Sequence, residues 1–420
     1  NDGWSYADVL RAFIAQENHV DGASPFHGTG GELDVQRLAQ PNPLAQAFVD
    51  SAVSAGHARN ADFNGAQQDG FGLFQVNHRH GTRLSSSRAF LHPVLARPNL
   101  AVITDAQVDK VRLAGRRAVG VTLREHGRTR ELAAAAEVIL CAGTINSAQL
   151  LLLSGIGAPE DLEPHALRVA HALPGVGRNL QDHPSAPLVR TDPTAVSYAL
   201  TWRSAARAVR APFDYAFARR GMLASNAAEA GGLIRSRPDV DRPDLQLTFM
   251  VGLKESARTL PRRHGFVCHV AVQRPVSRGR LSLVSADPQA KPRLAPGFLE
   301  DRRDLDLLLH GLREARRIAA TGPLAELGGE ELGPGPGVDD DAALEAYVRR
   351  SATTTYHPVG TCKMGPARDP LAVVDARLRV HGLDGLRVAD ASIMPTIVSG
   401  NTAAASMMIG ERAATFILSP

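Results

Sequence analysis

Apolar and polar positions change period several times along this chain, and each period predicts an element. Trp4, Val9, Leu10 and Phe13 recur at helical spacing behind Ser5, a good N-cap, so a helix is expected over Trp4–Glu17. Pro25–Val35 reads as a glycine-rich turn leading into a short strand, without the strand-before, helix-after context of a phosphate loop. Asp62–Phe74 and Gly81–Leu91 read as polar turns ahead of a short helix; Arg83 and Ser85, and Asn77 between the two stretches, are expected to be solvated loop residues, with a cofactor-lining role as the alternative. From Asn99 to Leu113 the pattern alternates as in a strand; Gly115 turns the chain, Val119–Glu125 is a second strand, and Gly127 marks another hairpin. Apolar Val138–Leu140 then runs through Cys141-Ala142-Gly143 into a helix expected from about Asn146.

The middle of the chain changes character. Asp244–Gly252, His264–Pro275 and Gly279–Val284 read as antiparallel strands, the last pair turned by Pro275 and Ser277–Gly279. Gly221–Ser236 is small and polar, a segment suited to line a cavity. Helices are expected over Asp301–Ala320, with its charges forming a solvated face, and over Asp340–Arg350. Near the C-terminus an apolar strand containing Leu386 and Val388 meets small turn residues, a break at Pro395–Gly400, and a helix capped by Asn401.

Composition narrows the class. With 420 residues and 44% hydrophobic content, two domains with sizeable cores are affordable. The net charge of +4 is a mild excess, mostly arginine, with no dense basic run interleaved with aromatics, so no nucleic-acid partner is expected. Three cysteines far apart suggest neither a disulfide framework nor a zinc site, and no metal is expected. No apolar run approaches the roughly 18 residues of a membrane span. A cytoplasmic, optionally membrane-peripheral, location fits that reading.

The chemistry concentrates in Tyr356–Gly365 (YHPVGTCKMG) and Leu386–Glu411. His357, on a turn bounded by Pro358, is a candidate base, because imidazole titrates near neutrality. The helix from Asn401 offers free N–H donors and partial positive charge to a group that becomes anionic. Ala403, Ala404, Ala405 and Ser406 are small enough for a second helix or a flat ring to approach closely.

These two blocks closely resemble the C-terminal signature of the glucose-methanol-choline oxidoreductases, FAD-dependent alcohol-oxidising enzymes, and most of all their choline dehydrogenase and alcohol dehydrogenase branch. Val138–Gly157 resembles the family's second signature, with Ala148 where Pro or Ser is usual, and Leu173–Pro184 is another family-like block that otherwise reads as a rigid connector. The resemblance implies a mixed α/β fold: a Rossmann-like FAD-binding domain, here incomplete, and a substrate domain built on an antiparallel sheet. The expected division is an N-terminal segment 1–90 bridging both domains, FAD-binding parts at 91–184 and 371–420, and a substrate domain at 185–370.

It also implies His357 and Asn401 as the catalytic pair. Val108 and Gly143 would lie by the adenosine, Asp390 and Ala391 by the ribityl-phosphate region, and Asn401 and Thr402 by the flavin. Glu229 and His183 are candidate substrate contacts. The implied reaction is oxidation of a primary alcohol, with a quinone or other carrier favoured over oxygen as electron acceptor. A flavin-dependent hydroxynitrile lyase and an inactive truncated or binding remnant are the alternatives.

No Gly-x-Gly-x-x-Gly occurs, and a Gly-Gly-Ser-Ser-rich segment is also lacking. The expectation is therefore a fragment or half of a split enzyme, completed by an N-terminal segment or second chain. Such a chain would bind FAD poorly alone and leave the apolar faces of Val138–Leu140 and Leu386–Val388 uncovered.

Overall fold

The first helix follows from its own cap: Ser5 accepts from the Asp8 amide while the Ser5 amide donates to the Asp8 carboxylate, a reciprocal box that starts α1 (Tyr6–Gln16). The computed structural model describes residues 1–253 and 261–419. A helix that periodicity did not bring out, α2 (Pro43–Ser54), nevertheless has clear start signals. Asn42 Oδ1 accepts from the Leu44 amide and Pro43 occupies the first turn. The expected turn around Gly70 is instead a strand, β1 (Gly70–Leu73).

A three-stranded antiparallel meander follows: β2 (Ala106–Ala114), β3 (Arg117–Glu125) and β4 (Arg128–Ala133). Its first strand begins later than the expected Asn99. Next come β5 (Val138–Leu140) and α3 (Gly143–Leu153), a helix that starts earlier than the expected Asn146. Gly143 permits this early start, because its φ of +80° turns the strand directly into the helix.

The second half supplies β6 (Pro184–Thr191), α4 (Ala205–Ala218), β7 (Ala228–Ile234), β8 (Leu245–Met250) and β9 (Gly265–Val272). After these come α5 (Arg302–Ala319), β10 (Glu331–Gly333), α6 (Asp341–Ser351), β11 (Thr353–Thr354), β12 (Leu386–Val388) and α7 (Thr402–Leu418).

One seven-stranded antiparallel sheet dominates, in the order β10-β6-β9-β8-β7-β1, with β11 also paired to β6. The segment read as a cavity lining is therefore largely β7, an interior strand buried almost throughout. Its small residues serve packing: a Cβ at Gly231 would meet the Phe74 ring at 2.2 Å and one at Gly232 the Phe71 ring at 2.4 Å. Gly279–Val284 does not pair with β9 either. Arg280–Ser282 forms a separate hairpin with Arg293–Ala295.

Two cores result. One lies between the large sheet and α2, α5 and α6, around Phe48, Phe71, Phe249, Leu305 and Leu308. On α5 the solvated-face expectation fails at one residue, because Asp304 is fully buried and accepts from the Val276 and Ser277 amides at 2.8 Å. The other core gathers α1, α3 and α7 around β5 and β12, with Leu151, Leu152, Ile156, Val388 and Ile409 inside. Here β5 and β12 pair in parallel, Leu386 with Val138 and Val388 with Leu140. The expected uncovered faces are found in part: all three β12 residues are buried, but on β5 Ile139 is open, at 37% exposure.

Candidate active site

His357 leaves the large sheet directly after β11. Tyr356 adopts φ +63°, which reverses the chain, and its amide donates to Thr354 Oγ1 at 2.7 Å. Thr354 in turn donates to the Asp182 carboxylate, whose other oxygen accepts from the His357 amide at 3.0 Å. Gly360 closes the turn at φ +92°, so near Asn179 that a Cβ would lie 2.5 Å from its carbonyl oxygen. Gln181 pairs with Val359 in both directions and accepts from the Ile397 amide at 3.1 Å. The stretch read as a connector, Leu173–Pro184, is thus a wedge holding both the His357 turn and the loop before α7.

The imidazoles of His183 and His357 meet edge to face, with their Nδ1 atoms 3.1 Å apart. Their proton positions follow from their partners. His183 Nε2 lies 3.1 Å from the Val398 carbonyl, which can only accept, so Nε2 carries the proton. Burial, and then the neighbouring His357, push the His183 pKa down to about 4, so it is neutral and its Nδ1 is a lone pair. His357 must therefore donate from Nδ1, to His183 and to Thr355 Oγ1 at 3.1 Å; the Thr355 hydroxyl points to the His183 carbonyl. The unprotonated nitrogen of His357 is Nε2.

Facing that nitrogen is Asn401 Nδ2, at 3.2 Å. Asn401 occupies the N-cap position of α7 with extended geometry, yet its side chain makes no cap bond, contrary to the expectation of a capping Asn. The amide is spent on His357 instead, which leaves the first N–H groups of the helix uncapped by it. Burial also lowers the His357 pKa below its ordinary value.

The remaining expected residues divide. Gly143 donates its amide to Asp390 Oδ2 at 3.0 Å, and Ser147 Oγ bonds the same oxygen at 2.5 Å. Asp390 Oδ1 accepts from the Ser392 amide, so this buried carboxylate braces the strand ends rather than offering itself to a ligand. Ala391 beside it is half-buried, Thr402 is buried at the start of α7, and Val108 is half-buried against the core around β5 and β12. His183 is 0% exposed, so a direct substrate contact is corrected to a supporting role behind His357. Glu229 is also 0% exposed, and its oxygens accept from the Asn42 amide, Tyr198 and Ser225. It offers no surface to a substrate, and that expectation is corrected as well.

Asp182, Gln181 and Thr355 were not singled out in the sequence, although the Gln-Asp-His run in a family-like block was the available signal. The surroundings fit a flat cofactor edge. A Cβ at Gly143 would meet nothing within 4 Å, and Cys141, Ala142, Ala403 and Ala404 are exposed.

Two family models described as GMC oxidoreductase match residues 1–185 and 275–410. The alcohol dehydrogenase [acceptor] of Pseudomonas putida is 42% identical over 99% of this chain and 75% of its own length. Mitochondrial choline dehydrogenase of Mus musculus is 40% identical over 99% of this chain and 70% of its own. Oxygen-dependent choline dehydrogenase 1 of Chromohalobacter salexigens is 39% identical over 98% and 74%. Among solved structures, pyridoxine 4-oxidase from Mesorbium loti superposes with a TM-score of 0.86 at 28% identity, over 100% of this chain and 78% of that one. An FAD-dependent oxidoreductase from Chaetomium thermophilum has the same fold, with a TM-score of 0.88 at 22% identity over 100% and 81%.

Proposed function

Because this chain belongs to the GMC oxidoreductase family, FAD-binding flavoproteins that act on CH–OH groups, we propose that it oxidises a small primary alcohol to the aldehyde with His357 as general base. The observation that carries the proposal is the 3.2 Å approach of Asn401 Nδ2 to His357 Nε2, with the proton of His357 held on the opposite nitrogen. When bound, FAD supplies the acceptor for the hydride that leaves the carbinol carbon. Gly143, Ala391, Asn401 and Thr402 would line its site, with Val108 toward the adenosine.

The alcohol hydroxyl donates to His357 Nε2, and Asn401 Nδ2 donates to the alcohol oxygen. Two fixed groups then orient the substrate while its proton passes to Nε2. The imidazolium so formed keeps Nδ1–H bonds to His183 and Thr355, and His183 stays neutral, so no second cation opposes it. The α7 start, with its amides uncapped by Asn401, favours negative charge developing on the neighbouring cofactor edge. The relatives' names support a dehydrogenase but divide over the acceptor, one being an alcohol dehydrogenase [acceptor] and another an oxygen-dependent choline dehydrogenase; transfer to a quinone or another carrier is the reading favoured here, and an oxygen electrode distinguishes it from an oxidase.

The deciding experiment is His357→Gln in FAD-loaded protein. The expected loss in kcat/KM is about 10²–10⁴-fold, with the flavin absorption spectrum retained. Unchanged kcat/KM would remove His357 as base.

A further inference from the structure

Helix α4 turns its apolar side away from the protein. Ala211 is its one buried residue. Trp202 is 87%, Val209 71%, Phe213 61% and Phe217 87% exposed. Val209, Phe213 and Phe217 recur at helical spacing and form one stripe on the side opposite Ala211, with Trp202 in the turn just before the helix, whereas a helix that covers a core buries its apolar stripe. Leu200 and Leu223, in the chain before and after the helix, are also exposed. An exposed apolar surface of this kind marks an interaction site.

Charge indicates what the stripe meets. Between Leu200 and Leu223 the sequence holds Arg203, Arg207, Arg210, Arg219 and Arg220 against the single carboxylate of Asp214, a net +4 that equals the formal charge of the whole chain. Arg210 and Arg220 share Asp214. Among the described residues, Arg203 and Arg207 donate to backbone carbonyls, and Arg219 lies over the Tyr215 ring. Among the described residues, Asp214 is the one carboxylate paired with these cationic flanks. Aromatic side chains on one face of a helix and arginines along its flanks match the interface of a bilayer, where rings settle at headgroup depth and guanidiniums reach lipid phosphates. No helix among the described residues is long and apolar enough to cross a membrane, so contact by this element would be peripheral.

We propose that α4 with its flanking residues is a membrane-surface helix, which docks the protein on anionic phospholipid through Trp202, Val209, Phe213 and Phe217 with the surrounding arginines. The proposal does not depend on the reaction assigned to His357.

Vesicle sedimentation of the full chain tests it. Protein is mixed with phosphatidylcholine vesicles with and without phosphatidylglycerol, at low and high salt. The expected result is sedimentation with the anionic vesicles alone, weakened by salt, and a blue shift of tryptophan emission that Trp202→Phe removes. The variant W202S/F213S/F217S and, separately, R203Q/R210Q/R219Q should each sediment at least about tenfold less. All six positions are exposed, so circular dichroism and melting temperature serve as folding controls. Wild-type protein that stays in the supernatant with both vesicle types overturns the proposal, as does serine-variant binding equal to wild type. A wild-type dimer that the serine variant abolishes, without vesicle binding, would overturn it in favour of a second copy of the chain on this face.

Discussion

At the scale of single residues, the two histidines make different predictions about pH. His357 must be unprotonated to accept a proton, and burial lowers its pKa. The pH profile of kcat/KM should therefore rise to a plateau with its inflection below the ordinary histidine value of about 6.5. An inflection above that value would contradict the burial argument. His183, with a folded pKa of about 4 against 6.5 when free, binds a proton on unfolding anywhere between those values. Stability is then complete above about pH 6.5 and declines as pH falls toward 4, by up to about 3 kcal/mol. Urea titrations across that window should show the loss in wild type and a shallower one in His183→Asn. His357 and Asn401 were legible because each lies within a distinctive string of neighbours. The supporting part of His183 was not, since a tautomer is set by atoms from segments 174 residues apart in the chain.

At the scale of elements, Asp390 is the joint between β12, the turn that follows it and the start of α3. Its two oxygens take the Gly143 and Ser392 amides and the Ser147 hydroxyl. Asp390→Ala would leave buried donors unpaired and should lower stability by about 3 kcal/mol, read as a reduced urea midpoint, together with weaker FAD retention. An unchanged midpoint would show that the joint is dispensable. Elements with strong local signals were readable, as with the Ser5 box of α1 and the Asp301 and Asp340 caps of α5 and α6. Helix α2 carried such signals too, in Asn42 and Pro43, but its alanine-rich face blurs the period. Helix α4 defeats pattern reading for another reason: its apolar stripe does not point to a core. Strand β1 was hidden because Gly70 and Gly72, which suggest a turn, are instead glycines of close approach to Asn60 and its neighbours.

At the scale of the whole molecule, the two cores differ in how their strands are held. The large sheet has long mutual ladders, while β5 and β12 share a pairing of three residues each. Amide exchange should therefore be faster at Val138–Leu140 than at Leu245–Met250 or Gly265–Val272 in FAD-free protein. Added FAD should slow exchange selectively at the first group. Uniform protection across both groups would show that the cores open as one unit. Sheet order was not legible at this scale, because local spacing carries no information on which strand neighbours which. The mixed α/β class and an antiparallel sheet in the middle of the chain were.

His183 adjoins the first residue of β6, and His357 comes shortly after β11, so both imidazoles ride on the large sheet. Asn401 instead heads a helix packed in the other core. The separation of 3.2 Å between ring nitrogen and amide is consequently a gauge of how the two halves of the molecule are set against each other. A slip of about 1 Å between them would part the amide from the base and leave the histidine pair intact, which makes catalytic alignment more sensitive than proton affinity to anything that loosens the join.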